Sequence, residues 1–309
     1  MPALAAVRAA NAVFSPAYFP VAVFVGGTSG IGRATAEAFA RYTKGNAHIV
    51  IVGRNKSAAD EIIASFPKPT NPEAKHEFVS CDVFLMRNIQ ATTVSFRERL
   101  PKINFLVLSP GLANLRGRDE TAEGIDKRLG LHYYARWKFV YDLLPLLRKA
   151  KDAGEDAKVM SILAAAFGGP ISLDNLGLKK SYSIPKAHLT APTYTDLMFE
   201  HHVQENPDLA FIHICPGGVA TPILSSNRWV LRQIIALLNA FAIAPEECAE
   251  YMLYALFQTK QGFSRRSQRG NDIGKLRYFG SDEKREPVWE HSKEEIDRAL
   301  AVKLNQMAS

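Results

Sequence analysis

The sequence predicts an α/β fold: a doubly wound parallel sheet in three layers, α/β/α, built as a single domain. Three observations carry this expectation. Apolar runs rich in β-branched residues alternate with helix-like segments from residue 21 to residue 216. The first run leads straight into a glycine-rich turn and then a helix. No linker, repeat or low-complexity stretch divides the 309 residues. Such alternation builds a parallel sheet with helices on both faces, since each crossover returns the chain to run in the same direction.

The elements follow in order. "VAVFVG" (21–26) reads as a buried strand and "GRATAEAFARYT" (32–43) as a helix. "AHIVIVG" (47–53) is a second strand and "SAADEIIASF" (57–66) a second helix. "HEFVSCDV" (76–83) and "NFLVLS" (104–109) are further strands, and 124–150 is one long amphipathic helix. "AKVMSILA" (157–164) and "LAFIHICP" (209–216) flank a helical segment near 186–205. Residues 244–258 form a packed helix with Pro245 near its start, and the tail from His291 reads as a surface helix. Residues 1–20 are an extension; the domain runs 21–309, with a substrate lid at about 221–244 and C-terminal helices.

Composition narrows the function. With 47% hydrophobic and 22% charged residues, the chain has enough apolar material for a sizeable core. Its net charge of +7 comes from scattered basic residues, with no long run interleaved with aromatics, so no nucleic-acid partner is expected. Cys81, Cys215 and Cys248 form neither a disulfide framework nor a metal-ligand spacing, and His201, His202, His213 and His291 show no convergent metal pattern. A reducing, cytoplasmic location and no metal are the expectations. Arg8 and Asn11 interrupt the opening residues, which argues against a signal or spanning helix. The apolar stretch 229–244 is broken by Arg232, Gln233 and Asn239 and falls short of the roughly 20 residues needed to span a bilayer. It reads as a hydrophobic flap, or alternatively as an interfacial helix in peripheral membrane contact.

The strongest chemical signal is "VAVFVGGTSGIGRATAEAFA". A strand runs into Gly26, Gly30 and Gly32 and then into a helix start, the arrangement of a Rossmann pyrophosphate site. Glycines let the backbone approach the anion, while the helix-start amides, with Thr28, Ser29 and Ile31 among them, donate to it. The second strand ends in Gly53 and Arg54, where an NAD site commonly carries an acid. Arg54 suits a 2′-phosphate, so the expected cofactor is NADP(H). Arg33 either assists or is a solvated surface charge.

With "CDV" at 81–83, "YxxxK" at 182–186 and "PGGVATP" at 216–222 following in this order, the chain resembles the short-chain dehydrogenase/reductase family. It looks like an atypical member, similar to uncharacterised fungal proteins of that family and to its retinol-dehydrogenase-like branch. The resemblance covers residues 21–222. It implies that Asp82 and Val83 flank the adenine, that Gly111 is kept from the turn after the fourth strand, and that Pro216, Gly217, Val219 and Thr221 lie on the nicotinamide side. It further implies Tyr182 as proton donor or acceptor. Lys186 would hold the ribose and lower the phenol's pKa, the two stacking on one helix face. Homo-oligomerisation is a further family expectation.

The same resemblance exposes departures. The expected catalytic serine is Ala164, with Ser161, three residues earlier in the strand, as a possible substitute. His132 stands in place of the family asparagine, as a hydrogen-bonding partner or as a buried structural histidine. Tyr134 and Lys138 share the four-residue spacing but lie inside the long helix and read as packing. Pro192 breaks or kinks the helix that follows Tyr182. Two activities stay open. One is an NADP(H)-dependent oxidoreductase, a carbonyl reductase of secondary metabolism acting on a small lipophilic metabolite. Trp229, Leu231, Ile234, Ile235, Leu238 and Phe241 would line its lid, or would instead form a core-facing helix pair. The other is a redox-impaired protein that binds NADP as a sensor or catalyses a non-redox step.

Overall fold

The computed structural model describes residues 2–112, 117–221 and 242–302. Its centre is a seven-stranded sheet: β1 (Val21–Val25), β2 (His48–Gly53), β3 (Lys75–Ser80), β4 (Phe105–Leu108), β5 (Lys158–Ile162), β6 (Ala210–Ile214) and β7 (Gly262–Arg266). The strands lie in the order β3-β2-β1-β4-β5-β6-β7 and every pairing is parallel. The chain reverses its winding between β1 and β4, and such a switch point opens a crevice at the strands' C-terminal ends.

Strand alternation separates two cores. Val23, Val25, Leu106 and Leu108 face one side, Ala22, Phe24, Phe105 and Val107 the other. The first side is covered by α4 (Met86–Arg99), α5 (Ala135–Asp152), α6 (Ile184–Glu205) and α8 (Asp282–Leu300). The second is covered by α1 (Leu4–Ala12), α2 (Gly30–Tyr42), α3 (Lys56–Ala64) and α7 (Pro245–Gln258). This is the three-layer single-domain architecture that the alternation predicts.

The N-terminal extension carries α1, which buries Val7 and Asn11 against α7, where Asn11 Nδ2 donates to the Glu250 backbone carbonyl and to Glu250 Oε2. Three expectations change. The 124–150 helix is not uniform. It starts with a turn at Lys127–Leu129, passes through a π-helical turn at Gly130–Tyr134 and only then becomes α5. Pro192 lies inside α6 without ending it. The tail helix α8 is packed rather than surface-laid, with Val288, Trp289, Ile296 and Ala299 buried. The lid residues named above, Trp229 to Phe241, lie outside the described residues. Among the described residues no helix is long and apolar enough to cross a membrane.

The packing predicts acid sensitivity. His202 of α6 stacks on Phe211 of β6 with centroids 5.4 Å apart, and burial pushes its pKa down to about 3. A histidine kept neutral in the fold but free to charge near pH 6.5 when unfolded stabilises fully above that value. Its contribution is lost as pH falls toward the folded pKa, because the unfolded state binds more protons. His202 should therefore cost about 2 kcal/mol between pH 6.5 and 5. Thermal melts at pH 7.5 and 5 should show a smaller drop for His202→Phe than for the parent. Equal drops would refute this assignment.

Candidate active site

The β1–α2 turn is shaped by two glycines. Gly26 has φ +81°, a left-handed conformation costly to other residues, and a Cβ there would sit 2.8 Å from the Pro110 nitrogen. At Gly32 a Cβ would lie 2.2 Å from Ser109 Oγ and 2.4 Å from the Gly26 carbonyl oxygen, so only glycine lets α2 approach the ends of β1 and β4. Ser29 precedes the helix in extended conformation and makes no side-chain cap. The first-turn amides of α2 consequently have no capping oxygen, and Ser29, Gly30, Ile31 and Gly32 line a cleft of about 510 Å³. A dinucleotide's pyrophosphate fits this cradle: it has the missing side chains, the helix dipole and the volume range of ligand sites.

From the cradle the cleft extends both ways. Toward β2 and β3 it is lined by Gly53, Arg54, Asp82, Val83 and Phe84. A Cβ at Gly53 would come within 2.7 Å of Thr28 Cγ2, so the strand end holds no acid and Arg54 is the charged group there. The Arg54 guanidinium lies 5.6 Å from the centre of the Phe84 ring. Asp82 Oδ1 accepts from the Phe84 amide at 3.2 Å, fixing the turn after β3. Arg33 is directed along α2, with Nε 2.8 Å from Glu37 Oε1, and is not among the lining residues.

Toward β4 and β5 the cleft is lined by Ser109, Pro110, Gly111, Leu112, Leu131 and Thr221. Thr221 abuts Gly30 and ends the segment through Pro216, Gly217 and Val219, none of which lines the cleft. Val219 instead bridges to Ile243. The π turn delivers His132 to this end: its Nε2 accepts from the Leu112 amide at 3.1 Å. Burial, with the charge of Arg136 next, holds His132 at about 3, so the ring is a neutral acceptor that braces the β4 turn.

The expected hydroxyls are not supplied. Ala164 follows β5, and its amide donates to His213 Nε2 at 3.4 Å. His213 is oriented through Nδ1 by Asp196 Oδ1 at 2.6 Å. Ser161 is fully buried, and its Oγ accepts from Arg136 Nη1 at 2.7 Å, so it points into the helix layer and does not substitute for a serine at Ala164.

The Tyr182–Lys186 pair is also not assembled as expected. α6 begins at Ile184, with Ser183 as its cap, Oγ accepting from the Lys186 amide at 3.3 Å. Tyr182 therefore precedes the helix and shares no helix face with Lys186. Burial raises the Tyr182 phenol, while the Arg128 guanidinium only partly opposes it. Lys186 is exposed, and its Nζ donates to Ser181 Oγ at 3.1 Å. With Thr190 and Tyr194 it lines a separate hollow of about 200 Å³ against Pro170 and Ile171.

Two residues further, about 200° around the helix, is His188. Its Nε2 lies 2.8 Å from Arg128 Nη1, and its ring centroid is 6.0 Å from that of His132. Burial and the Arg128 charge lower its pKa, so it is neutral at pH 7 and accepts from Arg128 through Nε2, which leaves the proton on Nδ1. No motif in the sequence marks His188 or Arg128. The usable signal was Ser183 followed by Pro185, a helix start that leaves Tyr182 outside. Among the described residues, no cluster of His, Cys, Asp and Glu is arranged to hold a metal.

The family model described as short chain dehydrogenase matches residues 20–229. The chain is 36% identical over 227 residues to Oxidoreductase AN1596 of Emericella nidulans, covering 74% of this chain and 66% of that relative's length. It is 27% identical to the polyprenol dehydrogenase of Homo sapiens, over 79% of this chain and 74% of the relative. Among solved structures, an alcohol dehydrogenase from the archaeon Thermococcus sibiricus, complexed with 5-hydroxy-NADP, is similar with a TM-score of 0.57 at 16% identity. That superposition covers 83% of this chain and 100% of the other. The glycine cradle and the strands around the switch point all fall within the matched region, and the chain belongs to the short-chain dehydrogenase/reductase family of oxidoreductases.

Proposed function

We propose that this protein is an NADP(H)-dependent oxidoreductase that reduces a carbonyl, or oxidises the alcohol, of a small lipophilic molecule, with His188 rather than Tyr182 facing the substrate oxygen. The observation that carries the reading is the Arg128–His188–His132 group, which joins the cleft through His132, the acceptor of the amide of the cleft-lining Leu112. Bound nicotinamide supplies or accepts the hydride. The amides of Gly30, Ile31 and Gly32 would hold the pyrophosphate, and Arg54 the 2′-phosphate. Arg128 fixes the His188 tautomer, leaving Nδ1–H to donate to the carbonyl oxygen and polarise it. A neutral imidazole suits that task, since charge develops on the oxygen only as hydride arrives. His188 is exposed, so water delivers the proton that completes the alcohol.

Large exposed apolar side chains near the start of α6 support a lipophilic substrate: Phe167, Leu173 and Leu189. The name of the polyprenol dehydrogenase relative points the same way. Ala164 favours a second reading, in which nucleotide binds without efficient hydride transfer, because no hydroxyl reaches the substrate at that position.

The cofactor is tested at Arg54. Arg54→Gln should weaken NADPH binding about tenfold while changing NADH binding less than about twofold, measured by fluorescence titration. Equal loss for both would remove the 2′-phosphate role. Saturable NADPH binding by the parent without oxidation against a panel of lipophilic aldehydes and ketones would favour the second reading.

A further inference from the structure

Arg136 lies in the first turn of α5 and is 1% exposed. Its Nη1 donates to the Leu108 carbonyl at 2.8 Å and to Ser161 Oγ at 2.7 Å, and its Nη2 donates to the Pro110 carbonyl at 2.7 Å. All three acceptors are neutral. Among the described residues no carboxylate pairs with it, and segments 113–116 and 222–241 contain neither Asp nor Glu. A buried cation without a counter-charge is costly, and burial pushes this guanidinium down to about 9. An apolar residue would fill the space more cheaply. The charge sits directly under Ser109–Gly111, the floor of the cleft on the side away from Arg54. The neighbouring titratable groups at that end are His132, His188, Arg128, Tyr182 and Asp126; the one acid among them, Asp126, accepts from the Arg128 and Leu129 amides and forms no ion pair with Arg136.

We propose that Arg136 sets the redox-state preference of the cleft: its unpaired charge beneath the nicotinamide end disfavours the cationic oxidised ring and favours the neutral reduced one. This rests on the cofactor reading above, in which Arg54 takes the adenosine phosphate and the nicotinamide half extends toward Leu112 and Leu131. The two nicotinamide forms differ by one charge on the ring, so a fixed cation nearby in a low-dielectric floor discriminates between them. The effect is roughly tenfold in dissociation constant. Arg136 is a positioning residue with an electrostatic role, since it also ties the β4 turn to β5.

The test is the ratio of dissociation constants for NADP+ and NADPH, measured calorimetrically on the full chain. The parent should bind NADPH about tenfold more tightly than NADP+. Arg136→Gln and Arg136→Met should bring the ratio close to one, and Arg136→Lys should retain most of it. Ser161→Asp, which gives the guanidinium a carboxylate partner without removing it, should also lower the ratio, and it serves if the neutral variants do not fold. A purely structural role would weaken both forms equally and leave the ratio unchanged in every folded variant, which overturns the proposal. Absence of binding by the parent overturns the cofactor reading itself.

Discussion

Gly32→Ala should weaken NADPH binding at least about 100-fold in a protein that still folds. The added methyl meets the Gly26 carbonyl oxygen at 2.4 Å, and that atom is backbone, so it cannot rotate away. Ser109 Oγ, at 2.2 Å, is also held, because it donates to the Val25 carbonyl at 3.0 Å. Relief requires α2 to move off the ends of β1 and β4, and overpacking of this kind costs typically 1–3 kcal/mol of stability. The larger effect is on binding, since the same shift withdraws the first-turn amides from the anion. A 100-fold loss corresponds to about 2.7 kcal/mol, two or so well-placed hydrogen bonds to a charged group. Gly218→Ala is the matched control: nothing lies within 4 Å of its Cβ, and affinity should stay within about twofold. Circular dichroism separates unfolding from loss of the cradle.

His188→Ala should lower kcat for carbonyl reduction about 10²–10³-fold, the usual cost of removing one donor from a developing oxyanion. Tyr182→Phe should change it less than about threefold. Both side chains lie beside Arg128, but Tyr182 precedes α6 and burial raises its phenol, whereas His188 sits on the helix and also faces His132. NADPH affinity should be unaffected by His188→Ala, because the cradle and Arg54 are remote from it. The missing hydroxyl gives a companion expectation within the same assay: Ala164→Ser should raise kcat by adding a second donor at the end of β5. A Tyr182→Phe variant as impaired as His188→Ala would restore the tyrosine to the reaction.

The parts of this molecule that sequence reveals are those written in contiguous residues. The glycine cradle is one strand, one turn and one helix start, and its pattern is unambiguous within twenty positions. The first six strands are likewise contiguous segments, apolar in all but β3, "KHEFVS". β7, "GFSRR", is hidden because it carries two arginines and a serine, and its place at the sheet edge is set by pairing with β6. The reacting end depends on where α6 begins, because a start at Ile184 leaves Tyr182 outside the helix and removes the one-face relation with Lys186. "YxxxK" spacing carries no information about that phase, which Ser183 and Pro185 set. Arg136 is hidden for a different reason. In an amphipathic helix, a lone arginine among aromatics reads as surface charge, and only the tertiary fold reveals three inward carbonyl and hydroxyl acceptors.

The central claim, that a nicotinamide nucleotide lies in the β1–α2 cleft with its reacting end at His188, is tested most directly by a crystal structure of the NADPH complex. The pyrophosphate should lie on the amides of Gly30–Gly32 and the nicotinamide ring toward Leu112 and Leu131, with the His188 imidazole closer to its reactive carbon than the Tyr182 hydroxyl. A ring flanked by Tyr182 and Lys186, with His188 turned to solvent, would contradict it.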